Sequence, residues 1–184
     1  MDFKKDLLLI DLESTGLDVD KHEIIQIAAV LLDRKTLKEK KFFNSYIKPT
    51  KWQTRDSESM KVNGLTWEVL KNGATMKEAL KSFSRFCDPK KVILSSYVSF
   101  ADKNFLLHAY KKQKIKWEFD YHVFDLWGFF YAKLALKNKL KNNKDFAGFG
   151  LESLLKDLKI KIPGKHHDAL YDCRLEAEVL RRLI

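Results

Sequence analysis

An α/β fold built on one mixed, five-stranded sheet covered by helices is predicted by three features of the sequence. Three apolar runs follow one another near the N-terminus, with connections too short for a crossover helix. From about residue 75 onward, strand-like runs alternate with segments of helical periodicity. Only seven Gly and three Pro occur in 184 residues, which suits well-defined elements and argues against long disordered linkers. A chain of this length is sized for one well-cored domain and short for two, so a single domain spanning residues 1–184 is expected.

The elements follow in order. Leu7 to Leu12 reads as a first strand, Ile24 to Leu32 as a second and nearly continuously apolar one, and Phe42 to Ile47 as a third, ended by Pro49. Successive antiparallel pairing makes these a meander. Lys51 to Asn63 is polar and reads as irregular, and Gly64, Leu65 and Thr66 open a short helical segment. Thr75 with Glu78 forms a capping-box pattern, and Ala79, Leu80, Phe83, Phe86 and Cys87 follow at helical spacing, so a helix is predicted up to Asp88 and Pro89. Val92 to Tyr97 is a fourth strand. Phe105, Leu106, Ala109 and Tyr110 mark a helix with Asp102 in its first turn, His122 to Leu126 a short fifth strand, Leu126 to Leu140 a helix, and Gly150 to Leu158 another. Pro163 and Gly164 then break the chain before a last helix with Cys173, Ala177, Leu180 and Ile184 on its apolar face.

Asp11 and Glu13 stand two residues apart where the first strand ends, so they point to one face. An apolar strand has no structural use for two adjacent negative charges, and a hard divalent cation with oxygen ligands is the usual answer to such a pair. Asp102 and Asp172 are further acids at helix starts. Each has an ordinary explanation by itself, Asp102 as a first-turn carboxylate that favours the helix dipole.

Lys and Arg number 35 against 25 Asp and Glu, a formal charge of +10. The natural partner of so basic a chain is a polyanion such as nucleic acid. Lysines gather at Lys111 to Lys116 and Lys133 to Lys144; such runs are ordinarily solvated faces, though the second is also suited to following a strand backbone. Cys87 and Cys173 lie in apolar-periodic segments without metal-ligand spacing and read as reduced core residues, which fits a cytoplasmic compartment. The apolar run after Lys4 and Lys5 is cut at Asp11, too short for a signal peptide, and no window reaches the length of a membrane span, so no membrane partner is expected.

Taken together the acids match three ordered motifs. The first is Asp11, Glu13, Ser14, Thr15, Gly16 with Leu17 following; the second is Asp102, Phe105, Leu106; the third is His167, Ala169, Asp172 at His-x-Ala-x-x-Asp spacing. Asn63, Gly64, Leu65 and Thr66 look like the His-Gly-Ile-Thr turn found between the first two. In these the chain resembles the DEDDh family of 3′ to 5′ exonucleases, whose members include the proofreading epsilon subunit of bacterial DNA polymerase III and ribonuclease T. The chain departs from the pattern at Tyr97, Val98 and Ala101 before the second motif, and at Asn63, where the family carries His.

The resemblance implies a ribonuclease H-like fold with helices on both sheet faces. It implies a cage of Asp11, Glu13, Asp102 and Asp172 for two divalent cations, Mg²⁺ or Mn²⁺, and His167 as the base that takes a proton from the attacking water. His166 would serve only in a shifted register. Ser14, Thr15, Gly16, Leu17, Gly64 and Leu65 are the implied substrate contacts. Phe100, Tyr97 and the aromatics from Trp127 to Tyr131 read as core packing rather than base-stacking platforms. The expected activity is removal of nucleoside 5′-monophosphates from the 3′ end of single-stranded nucleic acid, DNA before RNA. A catalytically silent binding module is the alternative, though all four acids and the His are present; a phosphatase is disfavoured because Glu13 stands where Asp-x-Asp is wanted. The chain ends twelve residues after Asp172, from which a freestanding enzyme of DNA repair or RNA trimming is expected, with a homodimer and association with a polymerase both left open.

Overall fold

The computed structural model describes residues 2–137, 149–160 and 167–184. Five strands, β1 (Asp6–Ser14), β2 (Ile24–Leu32), β3 (Glu39–Tyr46), β4 (Val92–Ser96) and β5 (Val123–Asp125), form one sheet in the order β3-β2-β1-β4-β5. β1, β2 and β3 pair antiparallel as a meander, and β4 and β5 add in parallel. This is the predicted mixed sheet. β2 is buried along its whole length because it lies inside the sheet with helices above and below.

Helices cover both faces. The alternation along β1 sends Leu7 and Leu9 to one face and Leu8 and Ile10 to the other, each at the heart of a separate core cluster. The first cluster is closed by α5 (Leu126–Leu136), α6 (Leu151–Asp157) and α7 (Ala169–Leu183), the second by α3 (Met76–Phe86) and α4 (Ser99–Lys112). Each fully buried Leu or Ile contributes roughly 2 kcal/mol, so the two clusters hold the sheet between them. The Thr75–Glu78 capping box starts α3 as its sequence predicts.

Several expectations need correction. Residues 51–63 are not irregular: Asp56 accepts from the Ser59 amide and caps α1 (Ser57–Asn63). That helix buries only Asn63 and so carries no apolar stripe for a periodicity to show. Gly64 to Thr66 do open a short helix, α2 (Trp67–Leu70) with Thr66 at its N-cap, and Gly64 ends α1 in the left-handed region at φ 64°. Ile47 falls beyond β3 and makes an isolated bridge to Ala74. Leu183, not Ile184, meets the core at the end of α7, and Cys87 is half-buried while Cys173 is buried. The expected continuation of α5 to Leu140, the lysines from Lys139 to Lys144, the Pro163–Gly164 break and His166 lie outside the described residues. Among the described residues no helix is long and apolar enough to cross a membrane.

Candidate active site

β1 outlasts its parallel neighbour. Leu9 pairs with Ser95 and β4 ends one residue later, whereas β1 runs on to Ser14. A crevice opens beyond the carboxyl end of β4, and Asp11 and Glu13 continue the Leu7–Leu9 row into it. α7 packs on that row: the Cys173 thiol lies 3.8 Å from the Leu9 carbonyl. Its first turn brings Asp172 to the two β1 acids, and oxygens of Asp11, Glu13 and Asp172 lie within 4.8 Å of one another. α4 begins directly after β4 and carries Asp102 into the same crevice, where Asp11, Asp102, Asp172 and His167 line a cavity of about 550 Å³. The fold thus gathers all four acids and the His, with Asp102 outside the tight trio.

The electrostatics of the cluster are those of buried carboxylates that repel one another. Burial holds the Asp11 carboxyl well above the ordinary range, reinforced by Asp102, Glu176, Glu13 and Asp172. Burial followed by repulsion from Asp172, Asp168 and Asp102 pushes Glu13 up to about 8. Burial pushes Asp102 up to about 7. Carboxylates so placed favour protonation unless positive charge joins them, and hard oxygen donors at this spacing suit Mg²⁺ or Mn²⁺. The residues present fit a divalent cation.

The third motif is held by its own polar brackets. The His167 amide donates to Asp172 Oδ2 at 3.1 Å, with His167 at φ 62°, and its Nε2 lies 3.8 Å from Glu152 Oε1 of α6. Asp168 caps α7 by accepting from the Tyr171 amide, while its other oxygen accepts from Gln26 Nε2 and the Tyr46 hydroxyl. Gln26, buried in β2, returns an acceptor to the Ala169 amide. Neither role is visible in the motif, yet these bonds fix where α7 starts.

The first motif is equally braced. Thr15 is buried; its amide donates to Glu23 O and its hydroxyl accepts from the Glu23 amide. A Cβ on Gly16 would stand 2.4 Å from the His22 ring, whose Nδ1 accepts from the Asp18 amide, so any larger residue must displace that ring. The Ser14 hydroxyl donates to the Gly16 carbonyl at 2.6 Å. Asn63 stands where the family carries His, and it ties the two predicted contact loops together. Its Nδ2 donates to the Ser14 carbonyl and its Oδ1 accepts from the Leu65 amide. Leu17 is 86% exposed beside this loop, with Gly64 exposed and Leu65 half-buried.

Two side chains correct the sequence reading. Phe100 is 77% exposed in the first turn of α4 rather than packed in the core. Tyr97, Trp127 and Tyr131 do pack: the Tyr97 hydroxyl and Trp127 Nε1 both donate to the Phe149 carbonyl. The residue that sequence reasoning missed is Glu176, which lines the cavity from α7 and is 1% exposed. Its spacing of four from Asp172 was the available signal.

A family model described as an exonuclease of the RNase T kind matches residues 8–180. The chain belongs to this family. As a DEDDh-type 3′ to 5′ exonuclease by membership, it joins a class of hydrolases. The exonuclease is 28% identical to the PolC-type DNA polymerase III of Thermotoga petrophila over 177 residues, 96% of this chain but only 12% of that protein. It is 28% identical to the DNA polymerase III epsilon subunit of Rickettsia prowazekii over 181 residues, 94% of this chain and 71% of that one. Among solved structures, the nuclease domain of 3′hExo, a DEDDh family member bound to rAMP, superposes with a TM-score of 0.77 at 21% identity, covering 100% of this chain and 94% of that one. Exonuclease I of E. coli in complex with a dT13 oligonucleotide superposes with a TM-score of 0.83 at 20% identity, covering 97% and 41%. These superpositions establish the fold.

Proposed function

We propose that this exonuclease removes nucleoside 5′-monophosphates one at a time from the 3′ end of single-stranded nucleic acid, DNA before RNA, as one cytoplasmic domain over residues 1–184. The observation that carries the proposal is the convergence of Asp11, Glu13 and Asp172 oxygens within 4.8 Å, in a cavity shared with Asp102 and His167. In this reading the four acids hold a pair of Mg²⁺ or Mn²⁺ ions. Such ions, when bound, lower the pKa of a water and neutralise charge building on the phosphate and the departing 3′ oxygen. His167, half-exposed at the cavity mouth, takes the proton from that water, and Glu152 beside Nε2 supports the charged ring. Asp172 acts twice, as a cation ligand and as acceptor of the His167 amide that fixes the His backbone. Exposed Leu17 and the Gly64–Leu65 turn lie against the terminal base, and the Ser14 to Gly16 backbone against sugar and phosphate.

The bound ligands of two structural relatives, rAMP and a dT13 oligonucleotide, support a nucleotide ligand of this kind. A second reading, proofreading beside a polymerase, is favoured by the polymerase III names of the sequence relatives. The test is incubation with 5′-labelled single-stranded DNA and RNA in Mg²⁺ or Mn²⁺. A ladder shortening from the 3′ end, lost with chelator and in Asp11→Asn, is expected. Intact substrate in every metal, with binding retained, would instead make the chain a silent binding module.

A further inference from the structure

Asp172 and Glu176 lie one turn apart on α7, so both side chains rise from one face of the helix. Both line the cavity that Asp11 and Asp102 share. Glu176 is 1% exposed; its carboxylate accepts from the Tyr97 backbone amide, while its Oε2 has no hydrogen-bond partner. Asp168, which pins the start of α7, is by contrast paired on both oxygens, by Tyr171 on one and by Gln26 and Tyr46 on the other. Its neighbours Leu175, Ala177, Val179 and Leu180 on α7 are apolar and buried, so a carboxyl at 176 is a costly choice for packing alone. Glu176 is not one of the three acids whose oxygens converge within 4.8 Å, but it lines the same cavity as Asp11, Asp102, Glu152 and Asp172, and a positive ligand there turns their repulsion into coordination.

We propose that Glu176 is a fifth carboxylate of the cation site, an oxygen donor that the three exonuclease motifs do not include and that raises the affinity of the cavity for a divalent ion. The proposal rests on the metal-dependent reading above. Its hard anionic oxygen selects Mg²⁺ or Mn²⁺ over softer ions. The side chain acts on the cation and its water rather than on the nucleic acid, since it is closed off from solvent.

Mn²⁺ binding to the full chain by titration calorimetry, beside thermal melts in EDTA, tests this with Glu176→Gln, Glu176→Leu and Asp11→Asn. Both Glu176 variants are expected to bind Mn²⁺ about 10- to 100-fold more weakly, the range found when partners of metal ligands are removed. In EDTA they are expected to melt at or above the parent temperature, because an acid that burial and its acidic neighbours disfavour has gone. A Glu176 variant that melts cooperatively and binds Mn²⁺ as tightly as the parent overturns the proposal. So does a pair of variants that fail to fold even in Mn²⁺, since Glu176 is then structural. Affinity lost in Asp11→Asn but kept in the Glu176 variants sinks this inference alone, whereas affinity unchanged in Asp11→Asn sinks the metal-dependent reading itself.

Discussion

Divalent metal should stabilise this fold by a margin that widens with pH. Glu13 titrates at about 8 in the folded protein against 4.5 in an open chain, and Asp102 at about 7 against 3.8, with Asp11 and Glu176 also raised. Below the open-chain values these groups are protonated in both states and cost nothing. As pH climbs, the unfolded chain sheds its protons while the folded chain keeps them, and each retained proton lowers stability by somewhat over ~1 kcal/mol per pH unit until the folded pKa is passed. Across its window of roughly three units, Glu13 alone removes up to ~4 kcal/mol. For a chain of this size ~1 kcal/mol moves Tm by about 2–4 °C, so Tm in EDTA should fall by on the order of 10 °C between about pH 5 and pH 8. Asp18, Asp33, Asp56, Asp120, Glu78 and Glu178 are held low by hydrogen bonds and ion pairs; their contribution is in place above the open-chain carboxylate range and does not oppose the trend. Saturating Mn²⁺ keeps the cage acids ionised in the fold and should flatten the curve. Thermal melts in EDTA and in Mn²⁺ across this range, with Glu13→Gln as a variant of shallower slope, measure both. A Tm in EDTA that rises steadily through the window, or a metal margin independent of pH, refutes the reasoning.

Three substitutions probe the rest of the site. Gly16→Ala drives a Cβ into the His22 ring and should cost about 1–3 kcal/mol of overpacking, seen as a lower Tm and lower turnover; the double variant with His22→Ala should lose less than the two single losses added. Asn63→Ala strands the Ser14 carbonyl and the Leu65 amide, at roughly 1–3 kcal/mol, and should raise KM for an oligonucleotide more than it lowers kcat. His167→Ala should lower kcat by about 10²- to 10⁴-fold while leaving the Mn²⁺ affinity from calorimetry near that of the parent; unchanged turnover removes His167 as the base.

The strands were legible as apolar runs bounded by polar residues, and the acid pair of β1 because side chains two apart on a strand share a face. The third motif was legible through its resemblance to the His-x-Ala-x-x-Asp pattern of the family. What the spacing could not carry is the support behind it: the Gln26–Asp168–Tyr46 contacts join residues more than 120 positions apart, and no local signal announces such a pairing. Asp125 is a similar case, accepting from Ser99 at the start of α4 and from the Gly128 amide at the start of α5. α1 stayed hidden because a short polar helix docked by backbone groups, as Asp56 N to Thr15 O, leaves no amphipathic trace. Glu176 escaped notice because helical periodicity shows which face a residue shares and not whether a cavity opens there. Phe100 misled for the opposite reason: aromatic character argues for burial, but the first turn of α4 leaves it exposed.

The direction and product of cleavage test the central claim most directly. A single-stranded oligonucleotide labelled on its 3′-terminal nucleotide, incubated with the full chain in Mn²⁺, should release all of its label as a free nucleoside 5′-monophosphate before any shorter labelled fragment forms. Label retained in fragments of intermediate length, or released only after the 5′ end has been consumed, would contradict the account.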